Sequence, residues 1–417
     1  MLLNRRRFLC STAAMAALGT PALQALANPG NPLMKFIFVF AQGGWDPTRV
    51  FADSFDISGV SMEPDAHRTR IGDITFVDHA SRPSVGQFLQ TYYDRTLLIN
   101  GVLVPSIAHE ICTMLAMTGT SQGTAPDWPT ILGEHERDQY TLPSLVVRGP
   151  SFPGPYVEAV ARTGAQQQLD NLISGNALLQ SDMPVTQLRA PSERIIDRYM
   201  MRRARSEAAN ARTLQSEILH EGYENSLQKL GDLKDLQYSM DFTGGVLLAD
   251  QSEVAIQALS MGVSRTITLS AGNTWDTHGN NDALQSPLWE SMFSGLSQLM
   301  ALLERTPGET TETLAGETTI VVLSEMGRTP NLNAQNGKDH WPITSWMLIG
   351  PSITGNRVVG GYDDNYYGLP IDPHTGETNS NGQVLSAEAV GATLLQMGGV
   401  DPAPYIRGVE PLTGLCK

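Results

Sequence analysis

The sequence predicts a doubly wound, mostly parallel α/β sheet with helices on both faces, and three observations predict it. Short Ile/Val/Leu/Phe runs without polar alternation, such as residues 36–40 and 319–323, read as strands buried on both faces. Helical stretches alternate with these runs along the chain. Acidic or histidine residues follow the runs at Asp46, His109, Asp276 with His278, and Glu325, and Asp339-His340 comes 15 residues after Glu325. Ligands of open parallel sheets bind outside the carboxyl ends of the strands, so these distant residues are expected to converge on one edge.

Residues 1–27 read as a removable targeting signal and leave the fold argument. Asn4-Arg5-Arg6-Arg7-Phe8-Leu9 fits the twin-arginine pattern, and Ala25-Leu26-Ala27 offers a small-residue cleavage site. The apolar stretch between them is too short and too rich in Ala, Thr and Gly to span a bilayer well. The expectation is export by the twin-arginine translocase after folding, to the periplasm or beyond, with no stable membrane span after processing. That route suits a protein whose metal is loaded before it crosses.

At 417 residues, 41% of them hydrophobic, the chain supports a large core, and 28–417 is expected to form one α/β domain. Net charge is −15, and −18 once Arg5, Arg6 and Arg7 leave with the signal, with 25 basic against 43 acidic side chains. A surface this acidic argues against nucleic acid and anionic membranes, and an anionic substrate would need metal ions or a local cation to reverse the field. Cys112 and Cys416 remain after processing, enough for one disulfide but no framework, and Cys112 in an apolar helical stretch reads as a buried thiol.

The elements follow in order. A strand at 36–40 ends in the Gln42-Gly43-Gly44-Trp45-Asp46 turn, where glycines permit a sharp bend. Residues 53–78 are polar and loop-rich, closing in a weak strand at 74–77. A helix is expected at 84–93, a strand at 96–100, a helix from His109 to Thr118 ended by Gly119, and a strand at 145–147. Residues 191–242 change character: they are charged, poor in Gly and Pro, and carry an apolar rhythm at Ile195, Ile196, Tyr199 and Met200, then Leu214, Ile218 and Leu219. This helical insertion of one or two amphipathic helices is a solvated layer or, alternatively, a lid or dimerisation arm. Helix 252–261, strand 265–270, helix 287–304, strands 319–323 and 345–349, and helix 387–397 before Gly398-Gly399 complete the pattern.

Trp275-Asp276-Thr277-His278-Gly279 places a carboxylate and an imidazole two residues apart on a loop, where both reach one ion; mixed Asp/His ligation suits Zn or another first-row divalent ion. The alternative is a turn with Asp276 bonded to backbone and His278 exposed. Ser324-Glu325-Met326-Gly327-Arg328 puts a carboxylate at a strand end and a guanidinium three residues on. Either the two form an ion pair, or Glu325 binds metal and Arg328 clamps an oxyanion.

These residues together resemble a known family. The signal, the GGWD turn, WDTHG, SEMGRTP, GKDHW and the VVGGY run after it are similar to the exported domain-of-unknown-function fifteen-oh-one family, grouped with the alkaline phosphatase and sulfatase superfamily. The resemblance covers nearly the whole mature chain. It implies that Asp46 and Glu325 hold one ion and that Asp276, His278 and His340 hold a second, with Zn first and Mn, Fe, Mg or Ca as alternatives. Sulfatases of that superfamily carry a modified nucleophile nine residues before the Thr-Gly that ends the helix. Here Thr118-Gly119 points back to His109, an imidazole that can serve as metal ligand, base or phosphate acceptor, with ligand preferred. The positive helix end at His109 is expected to favour a neutral ring and a bound anion. Ser106 is a possible displaced nucleophile or, alternatively, a helix cap. Metal-activated water attacking a phosphate or sulfate ester is the implied chemistry, on a small anionic ester or a surface polymer. The alternative is a metal-stabilised scaffold that binds a surface polymer or partner without turnover.

Overall fold

The computed structural model describes residues 33–164, 168–173, 190–236, 240, 242, 245–272 and 274–417. The expected signal, 1–27, lies outside the described residues. The elements in chain order are β1 (Lys35–Ala41), β2 (His67–Ile71), β3 (Ile74–Asp78), α1 (Pro83–Tyr92), β4 (Thr96–Leu103), α2 (His109–Thr118), α3 (Trp128–His135), β5 (Ser144–Val146) and β6 (Val160–Arg162). They continue as α4 (Gln168–Ile173), α5 (Ala190–Ala209), α6 (Leu214–Leu236), α7 (Leu248–Ser260), β7 (Thr266–Ser270), α8 (Asn281–Arg305), β8 (Thr318–Ser324), β9 (Gly327–Arg328), β10 (His340–Trp341), β11 (Ile343–Ile349), β12 (Arg357–Gly360) and α9 (Ala387–Met397).

Eight strands form one sheet in the order β12-β4-β11-β8-β1-β7-β5-β6. β1 lies at the centre, every residue buried, in parallel register with β7 (Phe40 opposite Ser270) and β8 (Ala41 opposite Ser324). β11 runs antiparallel to both β4 and β8, which leaves β4 parallel to the other strands. The expected mostly parallel sheet, flanked by helices on both faces, is thus what the chain forms. A strand buried on both faces has the same sequence in either orientation, so the reversal of β11 could not be read from its residues. α1, α7 and α8 pack together as one layer, and α2, α3 and α9 as another.

The β11 reversal positions the site. β1, β4, β7 and β8 end at one edge of the sheet, and an antiparallel strand starts where its neighbours end. His340, just before β11, is thereby delivered to the edge that receives His109, Asp276 and Glu325.

Several elements differ from expectation: α3, β6 and β12 were not expected, and α7 begins at Leu248 rather than 252. α8 begins at Asn281 rather than 287, with Pro287 inside it, because its polar first turns are buried by hydrogen bonds rather than by apolar side chains. The loop-rich 53–78 region contains a two-stranded hairpin, β2–β3. Expected helices 109–118 and 387–397 match to the residue; Gly119 takes the left-handed conformation that ends α2 (φ 72°). Residues 190–236 form two helices packed on each other, leaving Ile195, Tyr199, Leu214, Ile218 and Leu219 exposed. Cys112 is buried and Cys416 half-buried, both free, and burial pushes the Cys112 thiol up to about 11. Among the described residues no helix is long and apolar enough to cross a membrane.

Candidate metal centre

The floor of the site is aromatic and rigid. Trp45 from the β1 turn stacks on Trp289 of α8 at 5.0 Å, and Trp275 meets Trp289 edge-on at 4.9 Å. Trp45 Nε1 donates to Thr344 Oγ1 (3.0 Å) at the start of β11. These fully buried rings lock the GGWD turn and the WDTH loop together. Gly43 sits between them with φ +117°, and any Cβ there would fall 2.6 Å from the Asp276 backbone nitrogen. Only glycine permits that approach.

On this floor three imidazoles and a carboxylate converge. His278 Nε2 and His340 Nε2 are 2.9 Å apart. Asp276 Oδ1 lies 3.1 Å from the first and 3.3 Å from the second. His109 Nε2 is 3.5 Å from Asp276 Oδ2, and its ring packs edge-on against His340 at 4.4 Å. His109, Asp276 and His340 form a three-residue cluster able to hold a metal ion, and His278 adjoins it.

The other nitrogen of each ring is committed. His109 Nδ1 meets Glu325 Oε1 at 2.9 Å, His278 Nδ1 meets Asp339 Oδ1 at 2.8 Å, and His340 Nδ1 donates to the Ile107 carbonyl at 2.7 Å. Acceptors behind Nδ1 fix the tautomer that turns the Nε2 lone pair inward, the arrangement typical of metal-binding histidines. His109 Nε2 is buried and has no hydrogen-bond partner, so an atom able to bind is left unused.

Electrostatics follow from these contacts. Burial raises the Asp276 carboxyl, but the Arg328 hydrogen bond and charge, with His340 and His109, outweigh it and hold the group at about 2. Glu325 pulls the His109 imidazole above its ordinary value against the opposing effect of partial burial. The Glu325 carboxylate at 2.9 Å thus opposes the positive end of α2 at this ring.

Three further site expectations change in the structure. Asp46 is not brought into the cluster. Its buried carboxylate meets Lys338 Nζ at 2.9 Å and Arg49 Nε at 3.3 Å, and accepts from Asn281 Nδ2 (2.9 Å) and Thr48 Oγ1 (2.6 Å). An internal ammonium already neutralises it. Glu325 stands behind His109 rather than beside Asp46, accepting from Gly43 N–H at 2.7 Å. Two separate ion sites are therefore not formed by the expected pairings. Arg328 is no oxyanion clamp: fully buried, it donates to Gly44 O, Lys338 O, Gly43 O and Trp275 O, with Asp276 Oδ1 at 2.6 Å. It pins the β1 turn and the WDTH loop from behind.

Ser106 does not cap α2; Ala108 occupies the N-cap position, and Ser106 Oγ accepts from Ala108 N–H at 3.2 Å within its own turn. Asp339, expected at the strand-end edge together with His340, stands behind His278 rather than in the cluster. The Ile107 carbonyl and Lys338 could not be found from the sequence: a backbone acceptor has no residue signature, and Lys338 is 292 positions from Asp46.

Fold and site define a mixed α/β protein with a His/Asp cluster able to hold a metal ion at its strand ends. The chain belongs to the family described as "Protein of unknown function (DUF1501)", whose model matches residues 35–377 and so includes every residue of the cluster. In fold it is similar to the lipoteichoic acid synthase LtaP of Listeria monocytogenes (7% identity, 93% of this chain and 76% of that one, TM-score 0.41). It is also similar to a Pseudoalteromonas sp. sulfatase (10%, 92% and 72%, TM-score 0.38) and to an alkaline phosphatase superfamily protein of Vibrio parahaemolyticus (10%, 89% and 68%, TM-score 0.37). No curated protein matches the chain in sequence.

Proposed function

We propose that the protein is an exported, metal-dependent hydrolase that acts on phosphate or sulfate esters through metal-activated water. The observation that carries this reading is the convergence of three inward Nε2 atoms on one carboxylate, each ring held from behind by an acceptor. His109, His278, His340 and Asp276 would hold one ion, and this nitrogen-rich set suits zinc, with Mn or Fe next and Mg or Ca least suited. When bound, such an ion supplies Lewis acidity to water and to an ester oxygen. Glu325 and Asp339 keep His109 and His278 in register, and Arg328 holds Asp276 ionised at neutral pH. Export by the twin-arginine translocase to the periplasm or beyond rests on the Arg5-Arg6 pair.

A second reading, a metal-stabilised binding or scaffold protein, is favoured by one observation: among the described residues no hydroxyl or thiol hydrogen-bonds to the side chains of His109, Asp276, His278 or His340, where hydroxyls meet only the backbone of His109 and Asp276. Metal loading followed by turnover of a panel of phosphate and sulfate esters separates the two. Metal uptake without turnover of any ester overturns the hydrolase reading.

A further inference from the structure

Three cations pack around the turns that carry the site. Arg328, Lys338 and Arg49 are fully buried. Arg328 is consumed by four backbone carbonyls and Asp276, Lys338 by Asp46 and Thr48, and Arg49 by Asp46 and Asp282. The charged side chains exposed at the cluster are acidic: Asp276 with 35% and Asp339 with 57% of its side chain exposed, while Glu110 lies in the exposed first turn of α2. The α2 N-terminus, with no side-chain cap at Ala108, adds only about half a positive charge, which Glu110 opposes.

We infer that the site selects ester anions carrying a single negative charge, a phosphodiester or a sulfate monoester, over dianionic phosphate monoesters. The inference rests on the metal-dependent reading above. One divalent ion, the Asp276–Arg328 pair and the Glu325 carboxylate behind His109 leave a net single positive charge, which a monoanion neutralises. A dianion would leave uncompensated negative charge beside Asp339, and Arg328, Lys338 and Arg49 are all engaged by other partners. At separations of a few ångströms in a partly screened site, one such charge is worth a decade or more in affinity.

The test is calorimetric titration of the full chain, metal-free and zinc-loaded, near pH 8 with dimethyl phosphate, methyl sulfate and methyl phosphate. The last is then doubly charged, its second ionisation lying near pH 6. The expected result is no anion binding by metal-free protein, and zinc-loaded protein that binds a monoanion at least about tenfold more tightly than methyl phosphate. Comparing bis(p-nitrophenyl) phosphate with p-nitrophenyl sulfate then distinguishes the two monoanion classes. Binding of methyl phosphate by metal-free protein, or equal or tighter binding of it by the zinc form, overturns the inference while leaving the metal-dependent reading standing. Failure to take up zinc, read by elemental analysis, overturns that reading instead.

Discussion

His278 Nε2 and His340 Nε2 face each other at 2.9 Å, while each ring's Nδ1 is engaged by an acceptor, Asp339 and the Ile107 carbonyl. Two inward lone pairs at that distance repel unless a proton or a cation lies between them. The pair comes from segments 62 residues apart, and the carboxylate of Asp276 completes the triangle.

Metal content should therefore depend on both rings. His278→Ala and His340→Ala are each expected to reduce bound zinc by elemental analysis from about one equivalent toward none, with the far-ultraviolet circular dichroism unchanged. Equal zinc in parent and variants would show that these nitrogens do not bind it.

Glu325 acts through His109. Glu325→Gln keeps an acceptor for Gly43 N–H but weakens the hold on His109 Nδ1. Zinc affinity should fall roughly 10- to 100-fold, as for other residues that orient a ligating histidine. An unchanged affinity in competition with a chelator would remove the positioning role.

Asp46 is expected to govern stability rather than metal. In Asp46→Asn the buried Lys338 and Arg49 lose their counter-charge, at a cost of about 3 to 5 kcal/mol in denaturant unfolding of metal-free protein. Replacing Lys338 by Met in the same chain should recover much of that loss. If Asp46→Asn instead left metal-free stability intact and removed zinc, Asp46 would be a ligand.

The same residue sets an acid limit. Burial raises the Asp46 carboxyl, but Lys338 and Arg49 outweigh it and hold it at about 2. A folded-state value below the unfolded one of about 3.9 contributes stability that is fully present above that pH. It is lost as pH falls from about 4 through about 2. Stability of metal-free protein should decline more steeply across this window than that of Asp46→Asn, as measured by pH-dependent denaturant melts.

Gly43→Ala tests the floor. The added Cβ would meet the Asp276 and Trp275 backbone nitrogens at 2.6 and 2.7 Å, from a φ that L side chains rarely adopt. The WDTH loop must shift, so zinc affinity should fall together with a stability loss of at least about 2 kcal/mol. A variant that binds zinc like the parent would show the loop to be more compliant than its packing indicates.

The sequence by itself determined the α/β class, because buried apolar runs alternating with amphipathic stretches admit few other arrangements. It also determined which residues could meet. His109, Asp276, His278 and His340 follow or precede strands whose ends share one edge, and residue type marked them as ligands. Gly119 and Gly398 set helix ends to the residue, since a cap is a local event. Only the tertiary structure decided how the charged groups were divided. Asp46 and Glu325 look alike in sequence, each a carboxylate after a buried strand. Lys338 reaches one of them and His109 the other, so the first became a buried ion pair and the second a support for the His109 ring. Arg328 was placed among carbonyls rather than in the cleft, and β11 was reversed, bringing His340 to the site. Such outcomes depend on partners hundreds of residues away and on desolvation, and neither leaves a periodic trace in the chain.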